Sequence, residues 1–444
     1  YRAGATIGPI SRSDWGAMYL LGILFHVHRS RPYLEAMRDR RLRWLVAHAA
    51  ETMPFYRDLL QQHGTDPASI TGFGDIERLP LIRRNDLRSA GASAWATDVP
   101  ESRRLTATTS GSSDEPLELA FSFADRVRKH AIGLHSMSMY GWRPWHRGMA
   151  LGSQALPHGF ILQRLGFSRW AWIDPTRPVH EWLEEYDRIR PHALHSYPSA
   201  LREFCFQARE RGPLEWIPKV LSVGGELRPD ELMPLCTEVF GKPPLTMYGA
   251  VEAGRLAFEC AAFDGLHLRP DAVHIEILND GRPVKPGETG RVYITSLINT
   301  VMPIIRYELG DLAAWVPGDC SCGLWWPRLS LFQGRIGDVI PLPGGRVVPV
   351  TTLAAIVGKS HAVRQFQFVR RAETVLVLRY EAAAEGDGSL EAVAEKLRQS
   401  LPGIDVKMEK TGQLPRTHSG KVRRYIDEFP AADETGSGPG IPSH

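Results

Sequence analysis

Residues 219–252 read KVLSVGGELRPDELMPLCTEVFGKPPLTMYGAVE, and this stretch decides the fold. Lys219 to Val223 reads as a buried strand, Pro229 to Phe240 as a helix, and Leu245 to Tyr248 as a second strand. Just upstream, Leu201 to Arg211 reads as a helix. Earlier still come a helix from Ala124 to Met139 and a strand around Met149 to Leu151. Strands alternating with helices predict an α/β layered core with parallel strands. Ligands of open α/β sheets collect beyond the carboxyl ends of the strands. Both strands of the opening stretch end there in small residues and a carboxylate: Ser222 to Glu226 is SVGGE, and Thr246 to Glu252 is TMYGAVE. Glu226 and Glu252 each have a second reading, as a helix cap.

Working outward, Leu34, Met37, Leu42, Leu45, Val46 and Ala49 recur at helical spacing within Pro32 to Gln62, with His48 and Glu51 on the polar side. The apolar run Trp15 to Val27, WGAMYLLGILFHV, is shorter than the ~20 residues a membrane span requires. No small-residue cleavage site follows it at His28-Arg29-Ser30-Arg31. A docked helix is expected, with a membrane-surface contact as the other reading and no transmembrane span. The chain begins at Tyr1 rather than Met, so a start further upstream is expected. From Ala272 the character changes. His274 to Leu278 and Arg291 to Thr295 read as strands separated by Asn279-Asp280-Gly281 and Pro286-Gly287 turns. A second break spans Gly334 to Gly345. Beyond it, Arg364 to Val369 and Thr374 to Tyr380 alternate as a hairpin, Leu390 to Leu401 is amphipathic, and Ile404 to Met408 is a short strand. The predicted class is α/β: a large layered N-terminal domain with a β-rich subdomain over 1–334, a small α+β domain over 335–430, and a Gly/Pro/Ser-rich mobile tail over 431–444.

A chain of 444 residues calls for two or three domains. Its 43% hydrophobic and 23% charged residues lie near a globular average, which excludes a disordered, collagen-like or coiled-coil chain. Lys+Arg 53 against Asp+Glu 50 leaves +3, too weak a field for nucleic acid or an anionic membrane. Five cysteines in this length make no disulfide scaffold; reduced thiols or a metal site are expected, in a cytoplasmic protein. Cys260 and His267 form C-x6-H, and Cys320 and Cys322 form C-x-C. Three thiolates and one imidazole suit a closed, structural tetrahedral Zn²⁺ site; the alternative is four unlinked side chains. Cys205 and Cys236 lie in helical patterns and read as core thiols. His26/His28 and His192/His195 have no carboxylate or Cys partner at a useful spacing, so packing or surface roles are expected. Tyr140, Trp142, Trp145, Trp170 and Trp172 read either as an acyl or aryl pocket or as core and assembly surface. The zincin, nucleophile-elbow and dinucleotide fingerprints are missing.

Four further segments carry chemistry. Thr106 to Pro116, TATTSGSSDEP, offers hydroxyls and backbone N–H groups able to wrap phosphate oxygens, or is a solvated loop. Arg306 to Asp311, RYELGD, sets an Asp after a Gly turn, where it can accept from a sugar diol. Gly334 to Asp338, GRIGD, offers a guanidinium beside flexible backbone. Pro415 to Lys421, PRTHSGK, carries one Lys on a Gly-containing loop.

In this order, over residues 35 to 425, the segments resemble the adenylate-forming superfamily of acyl-CoA synthetases, luciferases and peptide-synthetase adenylation domains. The nearest likeness is to the phenylacetate–CoA ligase family and its capsule-biosynthesis-like relatives. The resemblance implies a ligase that joins a small aryl or acyl carboxylic acid to ATP as an adenylate, then transfers it to coenzyme A. It implies that Ser110, Gly111, Ser112 and Ser113 handle the ATP phosphates. Gly224, Gly225 and Glu226 would flank adenine, Tyr248 and Gly249 would border adenine and acid, and Glu252 would hold Mg²⁺. Asp311 would bind the ribose hydroxyls with Arg335. Lys421 would bridge carboxylate and α-phosphate, and Gly337, followed by Asp338, would be the hinge of a mobile small domain; Gly337→Pro should therefore impair the half-reactions. The C-x6-H and C-x-C arrangement also occurs in part of the family. Where the family's phosphate loop runs on as Thr-Gly-Lys-Pro, this chain has Ser113-Asp114-Glu115-Pro116. An amine or a carrier-protein thiol is the alternative acceptor. A degenerate, zinc-stabilised binding protein on the same scaffold is the alternative from another class.

Overall fold

The structure is a computed structural model. It describes residues 29–109, 117–152, 165–335, 339–343, 347–358, 360, 362–383, 388–417 and 421–429. The Trp15–Val27 run, His26 and His28, the Ser110–Pro116 loop, the Gly337–Asp338 hinge and the 431–444 tail lie outside these residues. Two compact units divide the chain: Tyr1–Gly337 with His418–Lys421, and Asp338–Thr417 with Val422 onward.

In the first unit, β1 (Leu105–Thr108) and β2 (Glu118–Phe121) pair antiparallel as a ribbon. The main sheet begins with β3 (Arg147–Leu151), β4 (Arg169–Ile173), β5 (Ala193–Ser196), β6 (Val220–Gly224) and β7 (Leu245–Ala250), a parallel block in the order β4-β3-β5-β6-β7. It continues through β8 (Gly254–Glu259), β9 (Leu266–Leu268), β10 (Val273–Asn279), β11 (Arg282–Pro283), β12 (Gly290–Ser296), β13 (Tyr307–Val316) and β14 (Arg328–Arg335). Those strands are antiparallel, in the order β8-β9-β14-β13-β12-β10-β11 from β7 outward, so one sheet of twelve described strands runs through the unit. The change of direction comes at Gly254, whose φ of +78° closes the β7–β8 turn. That is earlier than Ala272, where the sequence pattern changes, because β8 and β9 are as apolar as the parallel strands before them.

Helices cover both blocks. The run expected as one helix over Pro32 to Gln62 is two, α1 (Arg31–Thr52) and α2 (Pro54–Gln62). Pro54 crowds Met53 out of the helical region (φ −121°, ψ 114°) and then starts α2 as its first residue. These helices pack on the antiparallel block through Leu45 and Tyr56 against Ile294 and Tyr307. Next come α3 (Phe123–Met139), α4 (Val179–Ile189), α5 (Pro198–Arg211) and α6 (Leu232–Phe240). The last starts three residues later than its periodicity suggests. Trp182, Tyr186, Phe204 and Phe240 from α4 to α6 bury with Leu194 and Val223 of the parallel block. Cys205 and Cys236 meet there at 3.8 Å, both buried. A reciprocal cap starts α3: Asp125 N donates to Ser122 Oγ at 3.0 Å and Ser122 N to Asp125 Oδ2 at 2.9 Å. Asp125 also accepts from Thr300 Oγ1 at 2.9 Å, which ties α3 to the segment after β12.

The second unit pairs β15 (Val339–Pro341) with β16 (Val347–Pro349). After α7 (Val350–Gly358) come β17 (Val363–Ala372) and β18 (Val375–Ala382), then α8 (Gly388–Ser400), β19 (Asp405–Lys410) and β20 (Tyr425–Asp427), in a sheet ordered β19-β18-β17-β20. Leu353, Phe366, Leu378 and Leu397 are in its core. Among the described residues no helix is long and apolar enough to cross a membrane.

Candidate active site

The carboxyl ends of β5, β6 and β7 lie side by side, and the two motifs of the opening stretch meet there. Gly224 ends β6, and a Cβ on it would stand 2.6 Å from the Met247 carbonyl oxygen. Gly225 follows at φ +80°, where a Cβ would be 2.9 Å from the Tyr197 ring. Neither position accepts a larger residue without displacing its neighbour. The Glu226 carboxylate accepts from Ser199 N at 3.0 Å and from Ser199 Oγ at 2.9 Å, in the first turn of α5. The helix-cap reading of Glu226 therefore describes its contacts. Lys421, which groups with this unit, donates from Nζ to the Gly225 carbonyl at 2.8 Å and lies 4.9 Å from the Tyr197 ring centroid.

Tyr248 and Asp311, 63 residues apart, share a 2.6 Å hydrogen bond from the phenol to Asp311 Oδ2. Asp311 follows Gly310 (φ +86°) in β13 and stands in register with Arg335 of β14 beside a shift in the ladder. One sheet thus assembles Tyr248, Asp311 and the backbone of Arg335 from three strands. Gly249 follows Tyr248 and pairs with Arg255 of β8.

Glu252, buried to 6% exposure, lies two residues beyond β7. Its carbonyl accepts from Asn299 Nδ2 and, at 3.2 Å, from Lys129 Nζ. That ammonium also donates to the Val251 carbonyl at 2.9 Å and sits 3.5 Å above the Phe121 ring. Burial drives the Lys129 pKa from its ordinary 10.5 down to about 7, against the opposing pull of Asp125 and Glu252. Ser110, Gly111, Ser112 and Ser113 are outside the described residues, but their flanks are tied: Thr109 N donates to the Leu117 carbonyl at 3.0 Å, and Thr109 Oγ1 accepts from Arg84 at 2.6 Å.

Two cations on this part of the sheet went unread in the sequence. Lys129 stands one helical turn after Asp125, an i,i+4 pair that a helix-face reading would have picked out. Arg255 contacts His195, whose sequence reading was packing or surface. The aromatic run divides: Trp142 is buried at 2% exposure against Trp170, whereas Trp145 is 58% exposed. Tyr140 donates to the Thr246 carbonyl at 3.3 Å.

A separate cluster gathers Cys260, just after β8, His267 of β9, and Cys320 and Cys322 between β13 and β14. One ligand atom from each lies within 4.8 Å of all the others. Cys260 and Cys320 Sγ are 3.5 Å apart, and Cys322 Sγ is 3.3 Å from His267 Nε2. Zn–S bonds of about 2.3 Å and Zn–N bonds of about 2.0 Å put tetrahedral donors roughly 3.5–3.8 Å apart. The donor set and its spacing fit that ion.

No protein-family model matches the chain. The chain is 27% identical over 436 residues to the phenylacetate–coenzyme A ligase of Thermus thermophilus, covering 89% of this chain and 97% of the relative. It is 25% identical over 429 residues to the Escherichia coli K12 phenylacetate–coenzyme A ligase, covering 89% and 94%. Among solved structures, 2-hydroxyisobutyryl-CoA ligase in the postadenylation state with 2-HIB-AMP superposes with a TM-score of 0.71, at 24% identity over 90% of this chain and 92% of the other. The chain has the fold of the adenylate-forming CoA ligases. Along most of its length its sequence is similar to the phenylacetate–coenzyme A ligases.

Proposed function

We propose that this chain activates a small aryl or acyl carboxylic acid with ATP and passes the acyl group to coenzyme A. In the first step a carboxylate oxygen attacks the α-phosphorus and pyrophosphate leaves. In the second the coenzyme A thiolate attacks the acyl carbon, forming the thioester and releasing AMP. Both reactants of the first step are anions, so charge growing on the α-phosphate must be met by fixed donors. The observation that carries the reading is the Lys421 ammonium, 2.8 Å from the Gly225 carbonyl at the carboxyl end of β6. From there it faces the strand ends where acid and α-phosphate are read to meet. Asp311, oriented by the Tyr248 hydroxyl, would accept from the ribose diol, with Arg335 opposite it in register. Glu226 supports the adenine side by holding the start of α5 in place.

Glu252 would hold Mg²⁺, which supplies neutralising charge to the phosphates. Cys260, His267, Cys320 and Cys322 would hold Zn²⁺ as a closed site, tying the β8–β9 and β13–β14 connections together. The ligases it resembles support coenzyme A as acceptor.

The test is pyrophosphate release from ATP and Mg²⁺ over a panel of aryl and fatty acids, with and without coenzyme A, for wild type and Lys421→Ala. Acid-dependent release should fall on the order of 10²–10³-fold or more in the variant, and wild type should form thioester. Release indifferent to Lys421 would remove the lysine from the reading; adenylate without thioester would replace coenzyme A as the acceptor.

A further inference from the structure

The deeply enclosed arginines of the first unit come with carboxylates. Arg202 pairs with Glu231 at 3.4 Å, Arg269 with Asp271 at 2.8 Å and Arg306 with Glu276 at 2.7 Å. This is expected, because a guanidinium taken out of water is costly unless an opposite charge meets it. Arg255 is half-buried and is met differently. Among the described residues no carboxylate oxygen lies within 4.0 Å of it. Burial lowers its pKa, and the groups that oppose this are the phenols Tyr140 and Tyr197.

Three glycines outline the track of its side chain. Arg255 Cγ lies 3.9 Å from where a Cβ on Gly133 of α3 would stand, Cδ 3.6 Å from that point on Gly249, and Nη1 3.2 Å from that on Gly224. The side chain therefore runs between α3 and the sheet, across β7 to β6. Nη2 donates to His195 Nε2 at 2.9 Å, which leaves the imidazole proton on Nδ1, 3.0 Å from Ser222 Oγ. Burial and Arg255 itself hold the His195 pKa well below its ordinary value, so the imidazole is neutral and adds no charge. Arg255, His195, Tyr140 and Tyr197 all keep some solvent-accessible surface. Tyr197 is also the ring that faces Gly225 and Lys421. Tyr197 thus links the surroundings of Arg255 to the place where the activated carboxyl is read to sit.

We propose that the acid taken by this site carries a second carboxylate, and that Arg255, steadied by His195, binds it and sets the selectivity. This rests on the ligase reading, since it names the far end of the acid that reading activates. A planar guanidinium fork matches a carboxylate bidentately, which a lysine or an apolar residue does not. A site built around a polar pair rejects an analogue lacking the partner strongly, because the pair is left unmet.

The experiment uses matched acids, phenylacetate against 4-carboxyphenylacetate and hexanoate against adipate. Acid-dependent ATP–pyrophosphate exchange and calorimetric binding are measured for wild type, Arg255→Met and Arg255→Lys. In wild type the diacid should exceed its monoacid in kcat/KM by about 100-fold. The ratio should fall to about one in Arg255→Met and lie between in Arg255→Lys. A ratio taken within one protein is insensitive to the fraction folded, and Arg255→Lys keeps the test alive if the methionine variant fails to fold. A wild-type preference for the monoacids, or a ratio unmoved by both substitutions, overturns the inference and leaves the ligase reading standing. Diacid binding lost in Arg255→Met without exchange on any acid upholds the inference and sinks the ligase reading. Neither exchange nor binding sinks both.

Discussion

Replacing Tyr248 by Phe removes one oxygen atom and should weaken nucleotide use while sparing the fold. The phenol donates to Asp311 Oδ2 at 2.6 Å, within the range of a hydroxyl on an ionised carboxylate. Such a bond is worth about 1.5–3 kcal/mol net, or roughly 10- to 150-fold at 1.4 kcal/mol per decade. Asp311 is half-buried, so water will satisfy part of what it loses, and about tenfold is the expectation. The ring stays in the core among Leu256, Ala257 and Leu268, so thermal stability should move little. If the hydroxyl serves to aim Asp311 at the ribose, the loss belongs to ATP and not to the acid. ATP–pyrophosphate exchange should show KM for ATP raised about tenfold in Tyr248→Phe with KM for the acid unchanged. The penalty for 3′-deoxy-ATP should shrink in parallel. In a double-mutant cycle, Tyr248→Phe added to Asp311→Asn should cost less than it does alone, because the two act as a unit. Equal losses for both substrates, or strict additivity, would refute the argument.

Three further outcomes are expected. Glu226→Ala strips the α5 N-terminus of its acceptor and should lower stability by about 1–2 kcal/mol in urea unfolding; Glu226→Gln, which keeps one acceptor, should lose less. Between pH about 7, the folded pKa of Lys129, and its ordinary 10.5, the unfolded chain holds a proton that the folded chain lacks. Stability from this group therefore rises across that window, by at most about 1.4 kcal/mol per pH unit, and Lys129→Met should abolish the slope; parallel curves for the two proteins at pH 7.5 and 9 would contradict it. The purified chain should carry one zinc per molecule by elemental analysis, and Cys320→Ser should lose the metal and lower the melting temperature; an intact melting temperature in metal-free Cys320→Ser protein would rule out a structural ion.

Strands β3, β6 and β7 of the parallel block were legible in the sequence as short apolar runs; β4, with Arg169, Trp170 and Trp172, and β5, with His195, were not read as strands because polar and bulky residues interrupt the apolar pattern. Helix α6 ends at Gly241 with φ +70°, as a C-terminal glycine should. The break at Met53 was equally present, in Pro54, but the helical spacing of Leu34 to Ala49 was carried past it to Gln62. The polarity change at Gly254 was not legible, since apolar parallel and apolar antiparallel strands look alike until pairing is known. Likewise the Cys260/His267 and Cys320/Cys322 pairs announced themselves by ligand type. Lys129 and Arg255 did not, because a cation in the sequence looks like surface until burial is known. What marks them is an environment assembled from α3, β5, β6 and β8.

That environment also explains why the dipeptide Tyr248-Gly249 sits where it does. Successive residues of a strand face opposite sides of the sheet. Tyr248 turns to Asp311 and the core shared with the antiparallel block; Gly249 faces the side on which Arg255 runs under α3. In the proposed reading the nucleotide sugar is therefore handled on one side of β7 and the far end of the acid on the other. Only the reacting carboxyl and α-phosphate need to meet, at the strand end. A single step along the backbone separates the two recognition problems. A substitution on the acid side, such as Arg255→Met, should then leave the KM for ATP untouched, just as Tyr248→Phe should leave the KM for the acid untouched. Cross-talk between the two, with either variant moving both constants, would mean that the substrates share one face and that the division of labour drawn from the pleat is mistaken.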